Sequence, residues 1–138
     1  MSDENSLKTI KCVIVIDDDS SARKGLTRLL RTSGYDVRDF TSADEFLDAI
    51  DPEITGCVVL DAGMHGLSFA ELKEELSARG IHLPIIVISV DDDPKTRHKA
   101  REIKAVGFFR KPIDGPALCD AIDWVLLSDK TDNNQNKT

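Results

Sequence analysis

Short apolar runs that end in acidic or hydroxyl residues constrain this chain more than any other feature of its sequence. The run Cys57–Leu60 leads directly into Asp61, and Cys12–Ile16 leads into three successive aspartates. A third run begins at Pro84 and ends at Ser89. Continuous apolar runs of this length, bounded by turn or polar residues, are typical of strands buried on both faces. The sequence therefore predicts a sheet that is covered on both sides.

Segments with helical periodicity separate these runs. Behind the first run, apolar residues recur at i, i+4, i+7 and i+8, which indicates an amphipathic helix. Further helices are predicted over about 95–104 and 116–127, and short strands over 35–40 and 106–109. Five strands that alternate with five helices predict a parallel sheet with right-handed crossovers. The signals for helix starts are Ser20 or Ser21 as a cap, and two capping boxes, Ser42 with Glu45 and Ser68 with Glu71.

Length and composition place the chain among globular domains. With 138 residues, 41% apolar and 31% charged, it can form one domain with a proper core. The net charge of −7 argues against binding nucleic acid or anionic membranes over the whole surface. No apolar run approaches the roughly 18 residues of a membrane helix. Three cysteines without close spacing are expected to be reduced, in a cytoplasmic protein.

The chain is predicted to divide into three parts. Residues 1–10 are polar and are expected to be a flexible lead. Residues 11–127 contain all the predicted strands and helices and form the domain. Residues 128–138 are polar and rich in asparagine, so we expect a disordered tail.

Polar side chains gather at one edge of this predicted sheet. The carboxyl ends of parallel strands meet at one edge, which is where open α/β sheets bind ligands. Acids at strand ends are also common in plain solvated loops. Clustered carboxylates raise each other's pKa, and a hard cation such as Mg²⁺ removes their repulsion. A hydroxyl and an ammonium suit a phosphoryl group, and a carboxylate could attack it as a nucleophile. The residues concerned are Asp17, Asp18, Asp19, Asp61, Ser89 and Lys111.

This set of residues resembles the receiver domain of two-component response regulators. The resemblance covers residues 11–127 and places each motif, in order, at a predicted strand end. It implies a flavodoxin-like, doubly wound sheet of five parallel strands in the order 2-1-3-4-5 with five helices, and no output domain on this chain. The motifs are Asp17-Asp18, Asp61 with Met64 and Gly66 behind it, Ser89, and the stretch from Phe108 to Pro112. Arg23-Lys24 and the stretch from Ser42 to Leu47 are similar to receivers of nitrogen-fixation-type regulators.

The resemblance also implies a role for each site residue. Asp61 would accept a phosphoryl group from a phosphohistidine on a sensor histidine kinase or phosphotransfer protein. Lys111 would contact that group, while Ser89 and Phe108 would act as the switch pair. Magnesium would be held by Asp17 through water, by Asp18 and Asp61 directly, and by the backbone carbonyl of Gly63.

The family also implies the partners of such a chain. A downstream protein would bind the surface formed by the fourth helix, the fifth strand and the fifth helix, without direct contact to nucleic acid or membrane. The chain would be a signalling module, not an enzyme, and a monomer or a phosphorylation-dependent dimer. A basic stretch in the fourth predicted helix, from Lys95 to Lys104, is expected to face a partner.

Four residues depart from the family pattern and keep two alternatives open. His65 stands where proline is usual, Phe69 and Lys104 where glycine is usual, and Val90 where a small residue is usual. One alternative is a pseudo-receiver that binds a protein constitutively without phosphate turnover. The other is a small-ligand or phosphate-ester enzyme on the same fold, which the lack of a lid or loop insertion disfavours.

Overall fold

Five strands and five helices alternate along the chain. The computed structural model describes the backbone of residues 11–63 and 65–136 and the side chains of 12–63 and 65–128. The predicted lead, residues 1–10, and Met64 lie outside the described residues. The strands are β1 (Lys11–Ile16), β2 (Val37–Phe40), β3 (Thr55–Asp61), β4 (Ile85–Ser89) and β5 (Gly107–Arg110). The helices are α1 (Ser20–Thr32), α2 (Ala43–Ala49), α3 (Phe69–Ala78), α4 (Pro94–Glu102) and α5 (Gly115–Asn136).

The strands form one parallel sheet in the order β2-β1-β3-β4-β5, which confirms the predicted topology. Ile16 lies opposite Leu60, Asp61 opposite Ile88, and Ser89 opposite Arg110. This register brings the carboxyl ends of the central strands to the same edge. Within the described part of the chain, no helix has the length and apolarity needed to cross a bilayer.

The sheet separates two hydrophobic clusters, to which successive residues of each central strand contribute in turn. Helices α2, α3 and α4 cover one face, and α1 and α5 cover the other. On β3, Val58 and Leu60 point to the first cluster, while Cys57 and Val59 point to the second. Both faces are therefore apolar, as the unbroken runs predicted.

Helix caps correct two details of the sequence analysis. Asp19 caps α1, accepting a hydrogen bond from the Ala22 N–H at 3.2 Å, where Ser20 or Ser21 was predicted. A carboxylate suits this place because the helix N-terminus carries partial positive charge. The box at Ser68 and Glu71 is complete. The one at Ser42 is only half formed, because Glu45 accepts from the backbone N–H of Thr41 at 2.7 Å instead.

Helix α5 runs on past the predicted domain boundary at residue 127. Its backbone is helical to Asn136, over most of the segment predicted to be a disordered tail. The physical reason is that extending an existing helix is much easier than starting one, and residues 128–136 contain no glycine or proline. Residues 137–138 lie outside the description. The ends of β2, β5 and α4 differ from the predicted ones by one or two residues.

Gly56 marks a close approach between β3 and β1. It lies opposite Cys12 and has a φ of +133°, in the region that favours glycine. A Cβ atom at this position would lie 1.9 Å from the carbonyl oxygen of Cys12. Only glycine fits here without moving one of the two central strands.

Candidate functional site

The ends of β1, β3 and β4 place buried polar side chains together at one edge of the sheet. Asp17, Asp61 and Ser89 are 0%, 6% and 3% exposed, next to strands that are otherwise apolar. Two backbone hydrogen bonds extend the sheet at this edge. The Ala62 N–H donates to Ile88 at 2.8 Å, and the Lys111 N–H donates to Ser89 at 2.8 Å. These bonds fix the backbone positions from which the side chains at this edge extend.

Lys111 connects the two buried aspartates. Its Nζ atom donates to Asp17 Oδ2 at 3.1 Å and lies 3.0 Å from Asp61 Oδ1. Burial opposes the charge on this amine, but the hydrogen bonds to Asp61 and Asp17 outweigh it and raise the pKa of Lys111. The ammonium is therefore held in its charged form between two carboxylates.

Asp61 is held less firmly in its charged form. Burial, with the nearby charge of Asp17, raises the pKa of Asp61, although Lys111 and a hydrogen bond from the Gly63 N–H at 3.1 Å oppose the shift. Local positive charge thus does not fully offset the cost of ionising this carboxylate. Additional positive charge at the site would stabilise the ionised form.

The acidic cluster has the composition of a magnesium site. Asp17, Asp18 and Asp61 each offer a carboxylate oxygen, and these oxygens all lie within 4.8 Å of one another. Oxygen donors are the ligands that Mg²⁺ takes, and three carboxylates against one ammonium leave negative charge for it to balance. The side chain of Asp18 is 42% exposed and lies 3.2 Å from Nδ1 of His65. These residues fit the ion, while the role of the Gly63 carbonyl stays a prediction.

The predicted switch residues lie in two different settings. The Ser89 Oγ accepts a hydrogen bond from the Asp91 N–H at 3.0 Å, in the loop that leads to α4. Phe108 is half-buried against the cluster covered by α2, α3 and α4. The Arg97 guanidinium lies over its ring, 4.5 Å from the centroid, and is itself paired with Asp92. Helix α4 therefore contacts the aromatic ring of the predicted switch residue directly.

Cavities open beside the site on both faces of the sheet. One of about 450 Å³ lies between α3 and α4 and is lined by Asp61, Phe69 and Lys99 among others. Another of about 300 Å³ lies along α1 and the β5–α5 loop and is lined by Asp17 and Lys111 among others. Each cavity therefore borders at least one residue of the acidic cluster.

Two arginines at the site have contacts that the sequence analysis did not anticipate. Arg23 donates to the backbone carbonyl of Asp17, and Arg97 stacks on Phe108. Nothing in the sequence pairs Arg97 with an aromatic eleven positions on. Arg23 did carry a signal, because a cation near a helix N-terminus is unfavourable unless it has a specific partner.

Comparison with known proteins identifies the family of the chain. The family model described as the response regulator receiver domain matches residues 13–123. The transcriptional regulatory protein FixJ of Azorhizobium caulinodans is 43% identical over 110 residues, which are 80% of this chain and 52% of FixJ. Nodulation protein W of Bradyrhizobium diazoefficiens is 40% identical over 119 residues, 86% of this chain and 52% of that protein.

Comparison with solved structures also finds response regulators. The response regulator StyR superposes with a TM-score of 0.81 at 37% identity, over 94% of this chain and 65% of that one. The structure named FixJ-N gives 0.73 at 32% identity, over 84% of this chain and 93% of that one. The chain spans about half the length of the curated relatives it matches. This chain belongs to the response regulator receiver domains of two-component systems.

Proposed function

We propose that this chain accepts a phosphoryl group on Asp61 and thereby switches a protein-binding surface. The observation that carries the proposal is the position of the Lys111 Nζ, 3.0 Å from Asp61 and 3.1 Å from Asp17. An ammonium beside a buried nucleophilic carboxylate, within an acidic cluster that fits Mg²⁺, suits phosphoryl transfer. The function class of the family supports the same reaction.

The transfer is a substitution at phosphorus. A carboxylate oxygen of Asp61 attacks the phosphorus of a phosphohistidine on a sensor histidine kinase or phosphotransfer protein. A P–O bond forms and the P–N bond breaks, with its electron pair returning to the imidazole nitrogen, which takes up a proton. Asp61 must be ionised to attack, and its pKa is raised. Bound Mg²⁺ would favour this ionised form, because it adds positive charge beside the carboxylate.

The other site residues have supporting roles. Asp17, Asp18 and Asp61, with the Gly63 carbonyl, would hold Mg²⁺, which supplies charge neutralisation for the transferring group when bound. Lys111, whose Nζ lies 3.0 Å from Asp61, would contact a phosphoryl oxygen once the group is on Asp61. The Ser89 hydroxyl uses its oxygen to accept from the Asp91 N–H, so its own hydrogen is available to a phosphoryl oxygen.

The output surface consists of α4, β5 and α5. Trp124 and Leu127 of α5 are 65% and 66% exposed, and Val106, which directly precedes β5, is 46% exposed. Contiguous exposed apolar surface marks protein interaction sites, and we propose that these residues contribute to one. We expect a downstream protein here and not nucleic acid, with the chain acting in the cytoplasm as a monomer or as a dimer on phosphorylation.

The test is intact-mass spectrometry after incubation with acetyl phosphate and Mg²⁺. The wild-type chain should gain one phosphoryl group and Asp61→Asn none, while Asp48→Asn, an exposed aspartate on α2, should react normally. Chelation of Mg²⁺ should stop the reaction without unfolding the chain. A folded wild-type chain that gains nothing from acetyl phosphate or a histidine kinase would favour the pseudo-receiver alternative. Equal labelling of Asp61→Asn would refute the assignment.

A further inference from the structure

Arg23 is a charged side chain that the proposed chemistry does not use. It lies in the first part of α1, and its side chain is only 12% exposed. Arginine is seldom buried unless it is paired, because desolvating the charge is costly. The groups to which Arg23 donates therefore show which part of the structure it holds in place.

Both of the hydrogen bonds described for its side chain lead away from its own helix. The Nη1 atom donates to the backbone carbonyl of Asp17 at 2.9 Å. The Nε atom donates to Oδ2 of Asp39, on the edge strand β2, at 3.1 Å. Arg23 thus ties the end of β1 to β2 through a side chain.

The carbonyl that Arg23 binds belongs to the peptide between Asp17 and Asp18. The Asp17 N–H already donates to the Phe40 carbonyl at 3.1 Å, so the backbone of Asp17 is held on both sides. The side chain of Asp17 is also fixed, by Lys111 and by the Asp19 N–H. Asp18 differs, because its carboxylate is 42% exposed and its one described contact is with His65. The orientation of Asp18 therefore depends on the peptide that precedes it.

We propose that Arg23 is a positioning residue for the magnesium site, with Asp39 as the group that orients it. By fixing the carbonyl of Asp17, it holds the Asp17–Asp18 peptide so that both carboxylates face Asp61. Partners one shell out from a metal are known to set the orientation of its ligands. Its charge is paired with Asp39, so the effect is on geometry more than on net charge. The inference rests on the proposed function, because it assumes that these carboxylates bind Mg²⁺.

The chain offers a matched control. Arg31 lies on the same helix and, like Arg23, donates to a backbone carbonyl. Its Nη2 atom donates to the carbonyl of Val37, on β2, at 3.0 Å. It makes the same kind of contact away from the acidic cluster. Arg23→Met and Arg31→Met each remove one such guanidinium and keep an apolar stem.

The experiment measures the Mg²⁺ dissociation constant of the unphosphorylated full chain by calorimetric titration with MgCl₂. We expect Arg23→Met to weaken Mg²⁺ binding about tenfold or more, the effect typical of losing an outer-shell partner, and Arg31→Met to change it less than about twofold. Asp39→Asn keeps an oxygen that can accept from Nε and should lie between wild type and Arg23→Met. At saturating Mg²⁺ the rate of phosphorylation by acetyl phosphate should recover, because Asp61 and Lys111 are unchanged.

Three outcomes would overturn the inference. They are unchanged Mg²⁺ affinity in folded Arg23→Met, equal losses in Arg23→Met and Arg31→Met, and a rate that stays low at saturating Mg²⁺. If Arg23→Met does not fold, two milder variants are measured by the same criteria. They are Arg23→Lys, which has one ammonium in place of the guanidinium fork, and Asp39→Asn. Failure of the proposed function looks different, because the wild-type chain would then itself gain no phosphoryl group.

Discussion

Replacing Lys111 with methionine should lower the free energy of unfolding, because Lys111 neutralises the buried carboxylates of Asp17 and Asp61. The Lys111 Nζ lies 3.1 Å from Asp17 and 3.0 Å from Asp61, and these two residues are 0% and 6% exposed. Removing one partner of a buried ion pair typically costs about 3–5 kcal/mol, because the other charge stays buried. Since 19% of the Lys111 side chain remains exposed, solvent screening places the expected loss at the low end, about 3 kcal/mol. A domain with a typical stability of about 5–15 kcal/mol stays folded after this loss.

The assay is urea unfolding in metal-free buffer, followed by far-UV circular dichroism. In the Lys111→Met background, adding Asp61→Asn should recover about 1 kcal/mol or more, because it removes one of the two uncompensated charges. Mg²⁺ should restore stability in the single variant for the same reason. Lys95→Met, which removes an exposed lysine of α4, should change stability by less than about 0.5 kcal/mol. A similarly small loss for Lys111→Met, or an equal effect of Asp61→Asn in both backgrounds, would refute the compensating role of Lys111.

Other consequences of the same geometry can be measured separately. In metal-free buffer near neutral pH, Asp61→Asn should raise the midpoint of urea unfolding. Because the pKa of folded Asp61 is raised, its ionisation costs stability as pH rises through that pKa, so the gain should vanish on acidification toward the ordinary value of 3.8; a gain independent of pH would contradict this. Mg²⁺ should raise the melting temperature of the wild type, and Asp18→Asn should raise the metal-free value while reducing the Mg²⁺ effect; a lower metal-free value would mean that Asp18 is structural. In hydrogen exchange, α4 should open before the other helices because it buries only Ala100, and beryllofluoride should alter exchange most over residues 90–104 and 107–111; slow and unchanged exchange in α4 would exclude it as the mobile element.

The parts of this molecule that sequence predicts well follow from burial. The apolar runs of β1, β3 and β4 could be recognised because they lie in the centre of a sheet covered on both faces. Asp61 and Ser89 were placed at one edge because they end such strands, and the structure puts them there. Lys111 follows the shorter strand β5. It could be assigned to the same edge because the stretch from Phe108 to Pro112 resembles the motif of the receiver family.

The parts that sequence does not predict depend on competition among side chains. Three successive aspartates follow β1, and the sequence does not show that Asp19 caps α1 while its neighbours join the acidic cluster. Glu45 has two candidate donors one residue apart and bonds the one at Thr41. The stacking of Arg97 on Phe108 joins two elements through flexible side chains, which leave no periodic signal. Such choices depend on small energy differences that become visible only once the backbone is placed.

The close approach at Gly56 has a consequence for chemistry at the far end of β3. Asp61 lies five positions after Gly56, a span of about 17 Å at the rise of a strand. Because β3 is apolar on both faces, a shift by one residue would still bury apolar side chains on each face. The polarity pattern of the strand therefore gives little information about its register. The register of β3 is therefore fixed near its two ends, by Gly56 opposite Cys12 and by the ion pair of Asp61 with Lys111. A side chain added at Gly56 would push β3 along or away from β1 and move Asp61 relative to Lys111. A position about 17 Å from Asp61 therefore helps to determine the geometry on which the proposed phosphorylation depends.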